Sequence, residues 1–216
     1  MEFIAGTCAG ISQIVFGHPF DTTKILLQNN IKPSFRIGTL YRGWNFPFVS
    51  SILCNSSVFA IKEKTFSYTN NYWISGAISG IYQGSILYIF DLYKIGKQIQ
   101  RPLTLIDIYR NNGKYISIGS EIIALSIYFG IYHTLREKEY NILLSGGIAG
   151  ITNWGIIYPL DTIKNRQIGK NISFTKAYKM GSLYKGYSIC ITRAFLVNAI
   201  NFFVYENVFT YLDNKQ

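Results

Sequence analysis

Long apolar runs alternate along this chain with short polar, basic ones. Apolar runs of near-bilayer length cover 3–19, 45–66, 73–90, 114–134, 142–159 and 187–211. Each is close to the ~20 residues that cross a hydrocarbon core as a helix, so six membrane-spanning helices are predicted. Ser, Asn, Gln and Gly recur inside the runs, and mean hydropathy is only +0.16. Polar residues within spans are predicted to face a wet interior rather than lipid. A soluble helical bundle is the alternative reading of the same pattern.

A second pattern lies on top of the first. Asp21, Asp91 and Asp161 recur every 70 residues, each followed three positions later by a lysine, Lys24, Lys94 and Lys164. Two residues before the acids stand Pro19, Ile89 and Pro159, and upstream lie Gly6/Gly10, Gly76/Gly80 and Gly146/Gly150. Self-similarity at a fixed period means that one unit has been reused. The predicted repeats are 1–70, 71–140 and 141–216, joined in one unit. The fold class is therefore an all-α membrane protein, with six transmembrane helices in three pseudo-symmetric repeats around a central cavity.

Each part of the repeat has a physical use. Paired small residues let helix backbones approach closely in lipid. A proline kinks its helix and frees a carbonyl; Ile89 lacks that device. Charges at a membrane helix end cost least when paired. Three acids and three lysines in register can close a ring, with Asp21 meeting Lys94, Asp91 meeting Lys164 and Asp161 meeting Lys24. The alternative is that the lysines snorkel to the interface and form no ring.

Charge supports the spans. Only 15% of residues are charged, against about 25% in a typical soluble domain. Of the 21 Lys and Arg, 15 lie in 24–43, 94–114 and 164–186, the loops after the odd helices. Basic loops mark the non-translocated face, which puts both termini on the other. The net charge of +10 invites a nucleic-acid reading, but these bases alternate with spans, so no nucleic-acid partner is expected. Cys8, Cys54 and Cys190 fall within spans without metal-ligand spacing, and read as small buried side chains. His18 and His133 are isolated, so no enzyme chemistry, metal or cofactor is expected. No cleavable signal peptide is expected ahead of the first span. The bias to 34 Ile over 9 Ala suggests an AT-rich genome, as in some parasites and large DNA viruses.

The stretch His18-Pro19-Phe20-Asp21-Thr22-Thr23-Lys24, with Tyr158-Pro159-Leu160-Asp161-Thr162-Ile163-Lys164 and the weaker Ile89-Phe90-Asp91-Leu92-Tyr93-Lys94, resembles the Pro-x-Asp-x-x-Lys pattern of the mitochondrial carrier family. Tyr41-Arg42-Gly43 and Tyr184-Lys185-Gly186 resemble its aromatic-basic-glycine element; Asn111-Asn112-Gly113 keeps only the glycine. The resemblance covers essentially the whole chain. It implies a multi-pass, monomeric carrier of the mitochondrial inner membrane that exchanges solutes by alternating access. The basic loops would face the matrix and both termini the cytosolic side. It also implies lipid contacts, cardiolipin among them. The Asp and Lys set would form a matrix gate, braced by glutamines at Gln28 and Gln98, with Ile168 in the third place. On the even helices the family's outer gate maps to Lys62-Glu63 with Phe66, Tyr132-His133 with Arg136 and Tyr205-Glu206 with Phe209. Glu63, Arg136 and Glu206 are then the cytosolic-gate candidates, a degraded set. The loop from Gln28 to Gly43 is short, and neither the small matrix helix nor the acidic-glycine element of the family is evident.

Pseudo-equivalent positions share a depth in the cavity, and the following ones resemble the family's substrate contact points midway through the membrane. Seven residues past each repeat glycine lie Ser50, Ser120 and Arg193, and next come Ser51, Glu121 and Ala194. On the odd helices Gln13, Gln83 and Asn153 form another polar set at 70-residue spacing. Arginine binds phosphate or carboxylate by a planar fork, so Arg193 reads as an anion site, or as half of a pair with Glu121 that ties two helices. Arg193 and the abundant aromatics, Tyr128 and Trp154 among them, point first to nucleotides or deoxynucleotides such as ADP/ATP or dNTPs. The alternatives are a carboxylate or amino-acid carrier, with Glu121 beside Arg193 binding a zwitterion, and a non-transporting membrane adaptor.

Overall fold

The computed structural model describes the backbone of residues 2–213. It describes side chains from residue 11 onward, except at 52, 55, 56, 143, 198, 199, 201, 202, 205, 206, 209 and 211–213. Among the described residues the fold is all helix. The long helices are α1 (Glu2–Gln28), α3 (Asn45–Thr69), α4 (Tyr72–Gln98), α6 (Gly113–Glu137), α7 (Ile142–Lys170) and α9 (Tyr187–Asp213). At 25 to 29 residues each is about 40 Å long by helical rise, enough to cross a bilayer with a turn to spare on either side. Short helices α2 (Ile37–Leu40), α5 (Asp107–Arg110) and α8 (Phe174–Lys179) lie in the three basic loops. They correct the expectation that no small helix survives there: even these short loops retain one turn or slightly more.

Only α6, among the described residues, is both long and apolar enough to cross a membrane on composition alone. The other five predicted spans carry charged or polar residues within the same helices. Many of those residues are turned inward. Ser75, Ser79, Thr22, Gln28, Gln98, Asn165 and Arg166 are buried, while Ile11, Val15, Phe16, Ile78, Ile81, Ile148, Ile151 and Phe195 are exposed. Burying the polar side chains and exposing the apolar ones suits a lipid surround.

Neighbour packing is uneven. Helix α4 packs along α6, α3 along α4, α6 along α7, and α1 along α9; among the described residues, α1 with α3 and α7 with α9 pack little. The glycine pairs record the same asymmetry. A Cβ on Gly80 would meet the Glu121 carbonyl oxygen and Ile122 Cα at 2.5 Å, and one on Gly76 the Leu125 oxygen at 2.5 Å. A Cβ on Gly146 or Gly150 would meet nothing within 4 Å among the described residues, unlike the tight approach at Gly76 and Gly80. Gly6 and Gly10 lie outside the residues whose side-chain positions are described. Gly80→Ala should therefore cost ~1–3 kcal/mol through overpacking. Gly150→Ala should be neutral, or stabilising by up to ~1 kcal/mol, because alanine is the better helix former. Thermal unfolding in detergent checks this; equal shifts would contradict the open α7–α9 seam.

The two prolines explain two tyrosines. Pro19 and Pro159 sit inside α1 and α7 and deprive the carbonyls of Val15 and Gly155 of their helical donors. The Tyr41 hydroxyl donates to Val15 O at 2.7 Å and the Tyr184 hydroxyl to Gly155 O at 3.3 Å. Ile89 keeps its N–H, and the matching tyrosine is absent: Asn111 stands there, donating to Ile168 O and accepting from Gly113 N. Other 140-residue pairs fasten the same loops. Thr22 donates to Leu40 O at 2.7 Å and Thr162 to Leu183 O at 2.6 Å. His18 Nε2 meets Arg42 O at 3.0 Å and Tyr158 donates to Lys185 O at 3.1 Å. These bonds tie each aromatic-basic-glycine element to the helix end that carries the charges.

Candidate functional site

Asp and Lys three residues apart share one helix face. On α1, α4 and α7 that face meets the neighbouring helices at the basic end. Lys24 Nζ lies 2.7 Å from Asp161, Lys164 Nζ 3.1 Å from Asp91, and Lys94 Nζ 3.6 Å from Asp21. The three pairs run in the order expected from the register. Lys164 also sits 3.8 Å from its own helix's Asp161. The six side chains are 9 to 22% exposed, so they are drawn largely out of water and need these partners. The Lys24 ammonium also lies over the rings of Trp154 and Tyr158, at 5.2 and 5.0 Å.

Amides brace the ring in two places. Gln28 donates to Thr162 at 3.1 Å and to Asp161 at 3.4 Å, and its oxygen accepts from Asn165 at 2.7 Å. Gln98 donates to the Thr22 hydroxyl at 2.9 Å. Ile168, in the third place, belongs instead to an apolar cluster with Leu92 and Ile95. Arg166 falls by position among the solvated loop bases, and here the structure corrects the sequence. Its guanidinium is fully buried and donates to Gln28 O at 2.9 Å, Ala177 O at 3.1 Å and Ser182 O at 3.3 Å. It clasps α1, α7 and α8 together behind the ring. Asp107, at the start of α5, accepts from the Thr104 backbone and hydroxyl and pairs with Arg101. The Thr104 hydrogen bonds hold its carboxyl below the usual carboxylate range.

Arg193 does not meet Glu121. Its Nε lies 2.8 Å from Asp21 Oδ1, an ionic contact whose N–H is not aligned as a hydrogen bond. Asp21 therefore serves Lys94 through one oxygen and Arg193 through the other. Gly17 makes room for this: a Cβ there would press on the guanidinium at 3.2 Å, and its 70-residue counterparts are Leu87 and Ile157. Glu121 instead accepts from Gln83 at 3.0 Å, joining α4 to α6. So the expected Arg193–Glu121 pair is replaced by two separate, oppositely charged groups.

The remaining candidates are placed less tellingly. The hydroxyls of Ser50, Ser51 and Ser120 donate within their own helices, to Pro47, Phe48 and Ser117 carbonyls. Gln13 is exposed, and Asn153 buries an oxygen without a hydrogen-bond partner. The outer set is not brought together. Glu63 pairs with the adjacent Lys62, and Arg136 donates to Tyr140 O at 2.6 Å; Glu206 lies outside the residues whose side chains are described. Sequence reasoning missed the weight of Lys62, which is buried and lies near His133. A lysine inside the predicted span 45–66 was the available signal.

Six long helices closed at one end by paired charges make up the architecture of a membrane solute carrier. A sequence profile for "Mitochondrial carrier protein" matches residues 136–216. The "Mitochondrial basic amino acids transporter" of Rattus norvegicus is 28% identical, over all of this chain and 91% of its own length. The "Mitochondrial arginine transporter BAC2" of Arabidopsis thaliana is 29% identical over 99% and 92%. The human "Solute carrier family 25 member 45" is 27% identical over 95% and 96%. The chain is thus similar to mitochondrial carriers along essentially its whole length, and most directly to their profile over its last third. It is a carrier-type transporter of small solutes with the six-helix repeat fold, placed at the mitochondrial membrane. The alignment to the rat protein spans 279 columns against 216 residues here, so at least 63 columns, 279 less 216, are gaps in this chain.

Proposed function

We propose that this carrier exchanges basic amino acids, arginine foremost, across the mitochondrial inner membrane by alternating access. Its three repeats are 1–70, 71–140 and 141–216, the Asp–Lys ring is the matrix gate, and both termini lie on the cytosolic side. The observation that carries the substrate reading is the separation of Glu121 from Arg193. The two lie eight and seven residues past the repeat glycines Gly113 and Gly186, on different helices, with separate protein partners. A basic amino acid offers a carboxylate to the Arg193 fork and a cation to Glu121. The names of the relatives support the same class.

The nucleotide reading gives way. A polyphosphate needs several bases at one depth, and the positions equivalent to Arg193 are Ser50 and Ser120, with a carboxylate next to the latter. Weighing Arg193 alone favours an anion; counting Glu121 as a cation partner reverses that preference. The solute is therefore a zwitterion with a cationic side chain rather than an anion.

Ligand-dependent unfolding tests this. A solute bound only by the native state stabilises it by ~2.7 kcal/mol at about one hundred times its Kd. In detergent, arginine, lysine and ornithine should raise the unfolding midpoint, while ATP and malate should leave it in place. A rise with ATP alone would overturn the assignment.

A further inference from the structure

Far from the ring, the ends of α3, α4 and α6 are fastened by a cluster that the transport reading does not use. Lys62 of α3 is 4% exposed. Its ammonium lies 5.7 Å from the Tyr72 ring and 5.5 Å from the Phe129 ring, and 3.4 Å from His133 Nε2. The His133 ring stacks on Tyr72 at 3.6 Å and 3°, and Phe66 stacks on Tyr72 at 3.9 Å and 11°. Two rings parallel to a third at such spacings must take its opposite faces. Tyr72 of α4 is thus held between Phe66 of α3 and His133 of α6, with the Lys62 ammonium beside the stack.

We propose that His133 is a proton-binding site that releases α3 from α6 when the cytosolic side is acidified. Lysine has only donors, so the Lys62–His133 contact requires a neutral imidazole with its Nε2 lone pair free. Adding a proton turns that acceptor into a donor and sets two cations 3.4 Å apart. Lys62 is buried but paired with exposed Glu63, so the repulsion is only partly screened. Glu63, adjacent to Lys62 and exposed to solvent, already pairs with the ammonium and can keep it when the His133 contact is lost. The ionisable groups facing His133 are Lys62 and Glu63 from α3, Tyr72 from α4, and Tyr132 and Glu137 from α6 itself. The proton therefore weakens the α3–α6 tie while the Tyr72 stack can persist, since a cation over an aromatic face is tolerated. With this tie weakened, and the Phe59–Phe129 edge contact still joining the two helices, α3 can shift toward the closure that alternating access demands at this end.

The chain has two histidines. The other, His18, is buried at the basic end against the Arg42 carbonyl, so the two sit at opposite ends of the helices. Arginine itself does not titrate near neutrality.

The test uses the whole protein in liposomes preloaded with arginine, with internal pH held constant. External pH is lowered from about 8 to about 5.5, the window in which imidazole titrates. Arginine exchange should rise by about fivefold, the factor that one partly screened charge contact supplies. His133→Gln, which accepts from Lys62 but takes no proton, should abolish the step and keep the rate seen at high pH. Lys62→Met should abolish it too. A step that survives in His133→Gln, or none in the parent protein, overturns the proposal. A second readout needs no transport. The imidazole C–H resonance that disappears in His133→Gln should titrate within the same window in detergent micelles, and an invariant resonance would overturn the proton site. If arginine is not exchanged at any pH, the substrate assignment fails, while this resonance still decides the proton site.

Discussion

Glu121→Gln should reduce arginine exchange by roughly thirtyfold or more and leave the fold intact. Removing one partner of a desolvated charge pair costs ~2–5 kcal/mol, and here the missing partner would be the solute's cation. The fold survives because glutamine keeps the volume, and its side chain still hydrogen-bonds to Gln83 across α4 and α6. Arg193→Ala should lose exchange to a similar degree, through the solute carboxylate. Arg193→Lys should recover little of it if the contact is a two-point fork. The Arg193 change has a second consequence: Asp21 loses the neighbour at 2.8 Å and is left to Lys94 alone. Uptake of labelled arginine, with circular dichroism to verify folding, checks all three. Exchange at parental rates in Glu121→Gln would remove this carboxylate from the site.

The ring pairs should not be equal. Their separations are 2.7 Å for Lys24–Asp161, 3.1 Å for Lys164–Asp91 and 3.6 Å for Lys94–Asp21. Asp161 is also braced by Gln28, whereas Asp21 divides its charge between Lys94 and Arg193. Double-mutant cycles with Lys→Gln and Asp→Asn, read as thermal stability without solute, should therefore give coupling in that order. Contacting residues typically couple by ~0.5–3 kcal/mol; the first pair belongs near the top of that range and the last near the bottom. Reversing the charges at Asp21 and Lys94 should rescue poorly, since a lysine at position 21 would face Arg193. Equal or vanishing coupling at all three pairs would dissolve the ring as a structural lock.

Much of this end of the molecule is legible in the sequence because charge partners follow from register. Three Asp–Lys steps at one interval can close in only a few ways, and the observed way is among them. Other parts depend on atoms that sequence patterns do not display. The carbonyls freed by Pro19 and Pro159 leave no mark at Val15 or Gly155, yet Tyr41 and Tyr184 are kept where the prolines are, and both devices are missing in the middle repeat. Arg193 stands out in the sequence, but its partner is Asp21 rather than Glu121. Gly17, a small residue where Leu87 and Ile157 fill the equivalent places, is the sign that something large approaches there. The outer candidates Glu63 and Arg136 come from alignment, and alignment is blind to conformation. At that end α7 and α9 pack little among the described residues, and a Cβ on Gly146 or Gly150 would meet none of them.

The most direct test is counter-exchange in liposomes. Vesicles holding the purified carrier are preloaded with arginine, ATP or malate, and uptake of labelled arginine from outside is followed. The expected result is saturable uptake into arginine-loaded vesicles, competed by external lysine and ornithine but not by ATP. Uptake of labelled ATP into ATP-loaded vesicles, with arginine neither carried nor competing, would contradict the assignment of this carrier to basic amino acids.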